Sequence, residues 1–151
     1  MPFLICFFIM YMPFITTLHA NELNCPYFSV TLPNDWQAIS PPSETQGLTS
    51  AVFSKNASST TVAILVGQRH GTDAKTIAKY FASQFKAYQN PEEKKSRYTF
   101  NYTQQGLQCQ AWVSTQDEIF MVISLIGNPR EAINFVKNNI TSKTYTKLIP
   151  E

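Results

Sequence analysis

The residues best suited to do chemistry are few, and three of them, one a histidine, lie close together in the sequence. Arg69 and His70 are adjacent, and Asp73 follows three positions later. An imidazole beside a carboxylate can act in general acid–base catalysis. A hydrolase with a covalent intermediate also needs a serine or cysteine on a strained elbow such as Gly-x-Ser-x-Gly, and the sequence has no such motif. The pattern therefore favours an exposed loop histidine over a catalytic base.

The acidic residues and glycines give no indication of a metal or nucleotide site. A metal centre needs several histidine, cysteine or carboxylate ligands at ligand spacing, and beyond residue 20 the chain offers His70 and scattered acids. Asp117-Glu118 and Glu92-Glu93 are expected to be solvated charges near turns, with no apolar pocket to shift their pKa values. None of the five glycines belongs to a phosphate-binding loop. The sequence predicts no catalytic residue, no metal site and no cofactor.

The three cysteines are Cys6, Cys25 and Cys109. Cys6 lies in a segment that is expected to be removed, which leaves one pair. In an oxidising compartment an isolated pair most simply forms a disulfide, so we predict a bridge between Cys25 and Cys109. The alternative is two separate buried thiols.

Residues 1–20 resemble an export signal. They carry no charged side chain, contain an apolar run from Phe3 to Ile15, and end in Leu18-His19-Ala20 before Asn21. An uncleaved membrane anchor is the alternative, but Pro13 interrupts a run that is already shorter than the roughly 20 residues needed to cross a bilayer. We expect a cleaved signal peptide, a periplasmic or secreted protein that begins at Asn21, and no stable membrane span after cleavage.

The remaining residues, 21–151, are enough for a single globular domain. The formal net charge is +2, and the basic residues are spread along the chain rather than gathered on one face. Nucleic-acid binding requires a concentrated basic surface. The charge distribution therefore argues against a nucleic-acid partner.

Apolar periodicity predicts six strands and two helices. The strands are expected at Tyr27–Leu32, Leu48–Ser54, Thr60–Gly67, Arg97–Thr103, Leu107–Ser114 and Ile119–Ile126. One helix is expected to begin at Thr72 or Asp73 and the other at Asn128, and the proline-containing segment Ser40–Gly47 is expected to be a loop. Short turns make the strands antiparallel. Two strands that are apolar on both faces require cover on both sides, so we predict an α+β fold in which helices sandwich an antiparallel sheet.

The two tryptophans are expected to have different surroundings. Trp36 directly follows a turn and is expected to close one end of the core. Trp112 shares a strand face with glutamines, so it is either covered by a helix or offered to a partner. Cover is favoured, because the neighbouring strand is apolar on both faces.

The chain resembles the PsbP/DcrB-like group. The opening Tyr27-Phe28-Ser29-Val30-Thr31-Leu32-Pro33-Asn34-Asp35-Trp36 is similar to the strand, proline, turn and tryptophan that open members of that group. The predicted order of elements that follows is similar over about residues 25–144. The resemblance implies an α/β/α sandwich whose members mostly bind or assist protein partners, and it brings no shared active site.

These observations predict a small exported domain that binds a protein partner and performs no catalysis. Its contacts are expected in loops held by the rigid scaffold, at Ser40–Gly47 or around Arg69–Asp73. Two alternatives stay open. One is a carrier that holds a small apolar ligand between the sheet and the helix face of Ile77, Phe81 and Phe85, and the other is a small hydrolase that uses His70.

Overall fold

The computed structural model describes residues 21–151, and its centre is a seven-stranded antiparallel sheet. In chain order the elements are β1 Asn21–Asn24, β2 Ser29–Leu32, β3 Trp36–Thr45, β4 Leu48–Lys55, β5 Thr61–Gln68, α1 Ala74–Gln84, β6 Glu92–Lys94, β7 Arg97–Gln104, β8 Leu107–Gln116, β9 Ile119–Ile126, α2 Pro129–Asn139, β10 Ile140–Thr141 and a 3₁₀ turn at Thr146–Leu148. The large sheet has the order β3-β4-β5-β9-β8-β7-β6, and a small sheet has the order β1-β2-β10.

The predicted α+β, α/β/α sandwich is wrong. Strands account for about 50% of the described residues and helices for 19%, so the fold is mostly β, with two antiparallel sheets and two α-helices in that part of the chain. The prediction failed because segments expected to be irregular form strands. Ser40–Gly47 contributes most of its residues to β3, and the start of the described chain forms β1.

One face of the large sheet packs against α2 together with the small sheet. Phe135 of α2 stacks on Trp36, with 3.9 Å between ring centroids, and lies 5.6 Å from the ring of Phe53. Phe28 and Val30 pack into the same buried cluster from the small-sheet side. Trp36 is 8% exposed, which confirms that it closes the core.

The other face packs against α1. Ile77, Ala78 and Ala82 are buried on the inner side of that helix. They join a cluster that includes Phe100 of β7 and Ala111 of β8. Helix α1 contacts β7 and β8, so it covers one half of this face.

The central strand is β9, and it is buried on both sides as its sequence predicts. Met121 and Ile123 belong to the α2-side cluster, and Phe120 and Val122 belong to the α1-side cluster. β9 pairs with β5 and β8, which completes its hydrogen bonding.

Both predicted helix starts are confirmed. The Asp73 side chain accepts a hydrogen bond from the Thr76 N–H at 2.9 Å, and the Asn128 side chain accepts from the N–H groups of Arg130 and Glu131 at 3.0 and 3.2 Å. These bonds satisfy amide groups that have no partner within the helix.

Candidate functional site

The junction around His70 is a tightly held turn. The Arg69 guanidinium lies 3.6 Å from the Glu118 carboxylate and donates to the carbonyls of Asp117 and Thr72. The other Glu118 oxygen accepts from the Gly71 N–H at 3.2 Å. This network could not be predicted from local sequence, because its two halves are separated by almost fifty residues.

The structure does not pair His70 with a carboxylate of this junction. His70 is exposed and has a φ of +46°, which places it in the left-handed region. Both oxygens of Asp73 accept hydrogen bonds from Thr76, and these bonds lower the pKa of Asp73. Glu118 holds Arg69 and Gly71 instead. The local geometry thus serves the turn and the helix start.

The predicted loop at Ser40–Gly47 is an edge strand and a tight turn. β3 extends to Thr45, and Gln46 and Gly47 both have positive φ values, which suits a two-residue hairpin turn into β4. The register shifts between Ala38 and Ser40 and again between Ser40 and Ser43. The prolines in between lack N–H donors, and an edge strand tolerates this because only one of its sides is paired.

On the α1 side of the sheet, strands β3, β4 and β5 present a surface that we call the open face. It is defined by side chains that alternate with those buried against α2, namely Gln37, Ile39, Leu48, Ser50, Val52, Ala63 and Leu65, and by Ser40, which pairs with Val52 after the register shift that follows Ala38. None of these side chains is charged. Ile39 is 59% exposed and Leu48 is 41% exposed, and they are two of the four large hydrophobic residues with such exposure in residues 21–151.

The open face ends where α1 begins to cover the sheet. Gly67 marks the boundary: a Cβ atom there would lie 2.6 Å from Leu48 Cδ2 and 2.9 Å from Phe120 Cε1. Phe120 in turn lies 5.9 Å from Phe81 of α1, measured between ring centroids. Exposed Leu48 is therefore continuous with the apolar contacts beneath the helix.

The predicted disulfide between Cys25 and Cys109 is not formed in the structure, where both cysteines are free. Cys25 packs against the α2-side cluster, and Cys109 is buried in the α1-side cluster. The large sheet lies between the two clusters. Burial raises the pKa of the Cys109 thiol, which makes it less reactive as a nucleophile.

Trp112 is buried, as predicted, but the contact that the structure shows over its ring is with Arg97 of β7 and not with the predicted helix. It is 5% exposed, and the guanidinium carbon of Arg97 lies 4.4 Å from its ring centroid. Its indole N–H donates to the Gln110 side chain at 2.8 Å.

The other predicted acidic pair, Glu92-Glu93, lies at the surface. The Tyr98 hydroxyl donates to Glu93 at 3.2 Å, and Lys94 lies 3.5 Å from Glu92. Within residues 21–151 no group of three or more histidine, cysteine, aspartate or glutamate side chains is placed to hold a metal ion.

Glu131 occupies the most highly connected ionic site among the described residues. Its carboxylate accepts from Lys55 at 2.7 Å, from Thr60 at 2.6 Å and from Ser58 at 3.1 Å. These bonds lower the pKa of Glu131 to about 2. They fasten α2 to the β4–β5 hairpin.

Three clefts in the described part of the chain have volumes of about 350, 430 and 500 Å³. None of these three is lined by Ile77, Phe81 or Phe85. The largest of the three is lined by the second half of α1 and the segment that follows it.

The predicted signal peptide, residues 1–20, lies outside the described residues. From residue 21 onward, neither helix has the length and apolar character needed to span a bilayer.

Comparison with known proteins leaves the family open. No protein-family model and no curated protein matches the chain. A solved structure from Bacteroides thetaiotaomicron VPI-5482 is similar at a TM-score of 0.49 and 14% sequence identity, and the match covers 81% of this chain and 48% of the other. This chain thus spans about half the length of the Bacteroides protein. Because a likeness at this level carries no functional argument, the resemblance to the PsbP/DcrB-like group stays a prediction.

Proposed function

We propose that this protein is a non-enzymatic accessory domain that binds a protein partner through the open face. The observation that carries this proposal is the combination of exposed Ile39 and Leu48 with the absence of charge among the residues that define the face. Depletion of charged residues at the centre of a surface patch is typical of protein–protein interfaces.

The setting of the patch supports the same proposal. All 22 charged residues of the chain lie within residues 21–151, and yet the open face carries none of them. Ile39 and Leu48 flank Ser40–Gly47, the segment in which sequence analysis placed partner contacts. The partner is therefore expected to present an uncharged, largely apolar surface, since a charged one would lose hydration without gaining an ion pair.

Site-specific photo-crosslinking tests the proposal. A photoreactive residue at position 39 is expected to form a covalent adduct with one discrete protein in the cells that make this chain. The matched control is position 88, because Tyr88 is 65% exposed. Tyr88 follows α1 and lies next to β7, toward the edge of the large sheet that is opposite to β3. An adduct at both positions, or at neither, would contradict the proposal.

Charge insertion provides an independent measurement. Ile39→Asp and Leu48→Asp are expected to weaken capture of that partner at least about tenfold, because each buries an unpaired charge in the interface. Tyr88→Asp should leave capture unchanged. Adducts between two copies of this chain would replace the accessory role with self-association.

A further inference from the structure

A separate cleft lies near the edge of the large sheet formed by β6 and β7, opposite to the edge at which the open face lies. Its volume is about 350 Å³. It is bounded by the β6–β7 turn, by Ser114 and Thr115 of β8, and by the segment Thr146–Glu151. We call it the Arg97 cleft, after the side chain that distinguishes it.

Arg97 is held in position by Trp112. Its guanidinium carbon lies 4.4 Å from the centroid of the indole ring, which is the geometry of a cation–π contact. The indole is itself fixed, since it is 5% exposed and donates to Gln110. The guanidinium is therefore preorganised before any ligand arrives.

The same guanidinium has no ion-pair partner among the described residues. Arg97 is half-buried. Its Nε is buried without a hydrogen-bond acceptor, and among the buried side-chain nitrogen and oxygen atoms of residues 21–151 it alone is in this state. The ion pairs in the described chain involve Lys55, Arg69 and Lys94, and none involves Arg97. Because a guanidinium cannot give up its proton at ordinary pH, Arg97 keeps a positive charge at the cleft that no direct ion pair balances.

Other side chains that line the cleft also favour a negatively charged hydrogen-bond acceptor. Lys95 and Lys147 line it, so three cationic side chains face one acidic side chain, that of Glu151. Ser96 and Thr146 add hydroxyl groups to the lining. The cleft thus combines positive charge with neutral hydrogen-bonding groups.

We propose that the Arg97 cleft binds a small molecule through an oxyanion, either a carboxylate or a phosphate group. A guanidinium presents its N–H groups in a planar fork that matches both kinds of oxyanion. A volume of about 350 Å³ is within the range of small-molecule sites. The proposal does not depend on the open face, which lies at the other edge of the sheet.

Nuclear magnetic resonance offers a direct test with inorganic phosphate and with acetate as separate probes. The chain has two tryptophans, Trp36 and Trp112, and three arginines, Arg69, Arg97 and Arg130, so each side-chain N–H signal is assignable. On titration at constant ionic strength, the signals of Arg97 Nε–H and Trp112 Nε1–H are expected to shift along a saturable curve. Trp36 and Arg69 should not respond. Saturation by only one of the two probes identifies the oxyanion.

Variants make the test specific. Arg97→Gln is expected to raise the dissociation constant at least about tenfold, because it removes a charge-assisted pair of hydrogen bonds. Arg97→Lys should also weaken binding, since it keeps the charge and loses the fork. Lys75→Gln, on α1, makes the same change in charge away from the cleft and should bind as the wild type does.

Lys147→Gln tests the same cleft in case the Arg97 variants do not fold. Lys147 is exposed, so its replacement leaves the core intact, and it should raise the dissociation constant several-fold. Non-saturable shifts with both probes in the wild type would overturn the proposal. The proposal would also be overturned if Arg97→Gln and Lys147→Gln gave Trp112 Nε1–H shifts of equal size and equal dissociation constants for the probe.

Discussion

The two faces of the large sheet are covered to different extents. On one face, α2 and the small sheet bury Trp36 and Phe53, which come from β3 and β4. On the other face, α1 contacts β7 and β8. There β3 and β4 leave Ile39 and Leu48 exposed. A single pair of strands therefore has a buried side and a largely uncovered side.

We propose that the alternation of side chains along these strands has two purposes. The side chains against α2 include large aromatic residues that stabilise the domain. Those on the open face are uncharged, and all but Gln37 are small or aliphatic, so they can be covered by another protein without burying a charge. The proposed function thus assigns stability and binding to opposite faces, and substitutions can separate them.

The largest effect is expected on the covered face. Phe135→Ala removes a buried ring that stacks on Trp36 and should lower the free energy of unfolding by about 3–5 kcal/mol. Ile39→Ala, on the open face, should change it by less than about 0.5 kcal/mol. Denaturant unfolding of both variants measures the difference. Equal losses would show that the open face is part of the core.

A smaller effect is expected at the boundary between covered and open regions. Gly67→Ala places a methyl group against Leu48 and Phe120 and should cost about 1–3 kcal/mol by overpacking. Leu48→Ala in the same chain should restore part of the loss, because it frees the space that the methyl group needs. Purely additive free energies in this double-mutant cycle would contradict the contact.

The attachment of α2 should make stability depend on pH. The pKa of Glu131 is lowered from 4.5 to about 2 in the folded protein, so the folded state favours the ionised carboxylate. The resulting stabilisation is fully present above about pH 4.5 and is lost as the pH falls toward 2.

Glu131→Gln should therefore be less stable than the wild type at pH 7. The difference in the free energy of unfolding between the two proteins should shrink as the pH falls from about 4.5 toward 2. Urea unfolding at pH 7, 4 and 2.5 measures this difference. Glu44→Gln, at an exposed site near the β3–β4 turn, serves as the control and should show no such narrowing. A gap that stays constant with pH would mean that the ion pair with Lys55 does not stabilise the fold.

The smallest effect is expected at His70. His70→Ala should change the free energy of unfolding by no more than about 0.5 kcal/mol, since the side chain is exposed. Partner capture through the open face should also be unchanged. A variant that folds normally but loses biological activity would instead favour the hydrolase alternative.

Elements with a strong local signal were predictable from sequence. β9 is apolar at every position but one, and it has the predicted bounds, Ile119–Ile126. Asn128 was identified as a capping residue and Asp73 as one of two candidates with Thr72, because capping depends on the few residues that follow. Prediction failed at Ser40–Gly47, where prolines and polar residues suggested a loop. An edge strand leaves half of its backbone groups unpaired, so it accommodates residues that a central strand excludes.

The burial of the central strands, the helix starts and the antiparallel direction of the strands follow from local patterns in the sequence. Periodicity reports that a side chain is covered, but it does not report which element covers it. The packing of the elements places a small sheet beside α2 on one face and puts Cys25 and Cys109 in different clusters. It also brought Glu131 to Lys55 and Arg97 to Trp112. Such pairs arise from packing between elements distant in sequence, and no local pattern encodes them.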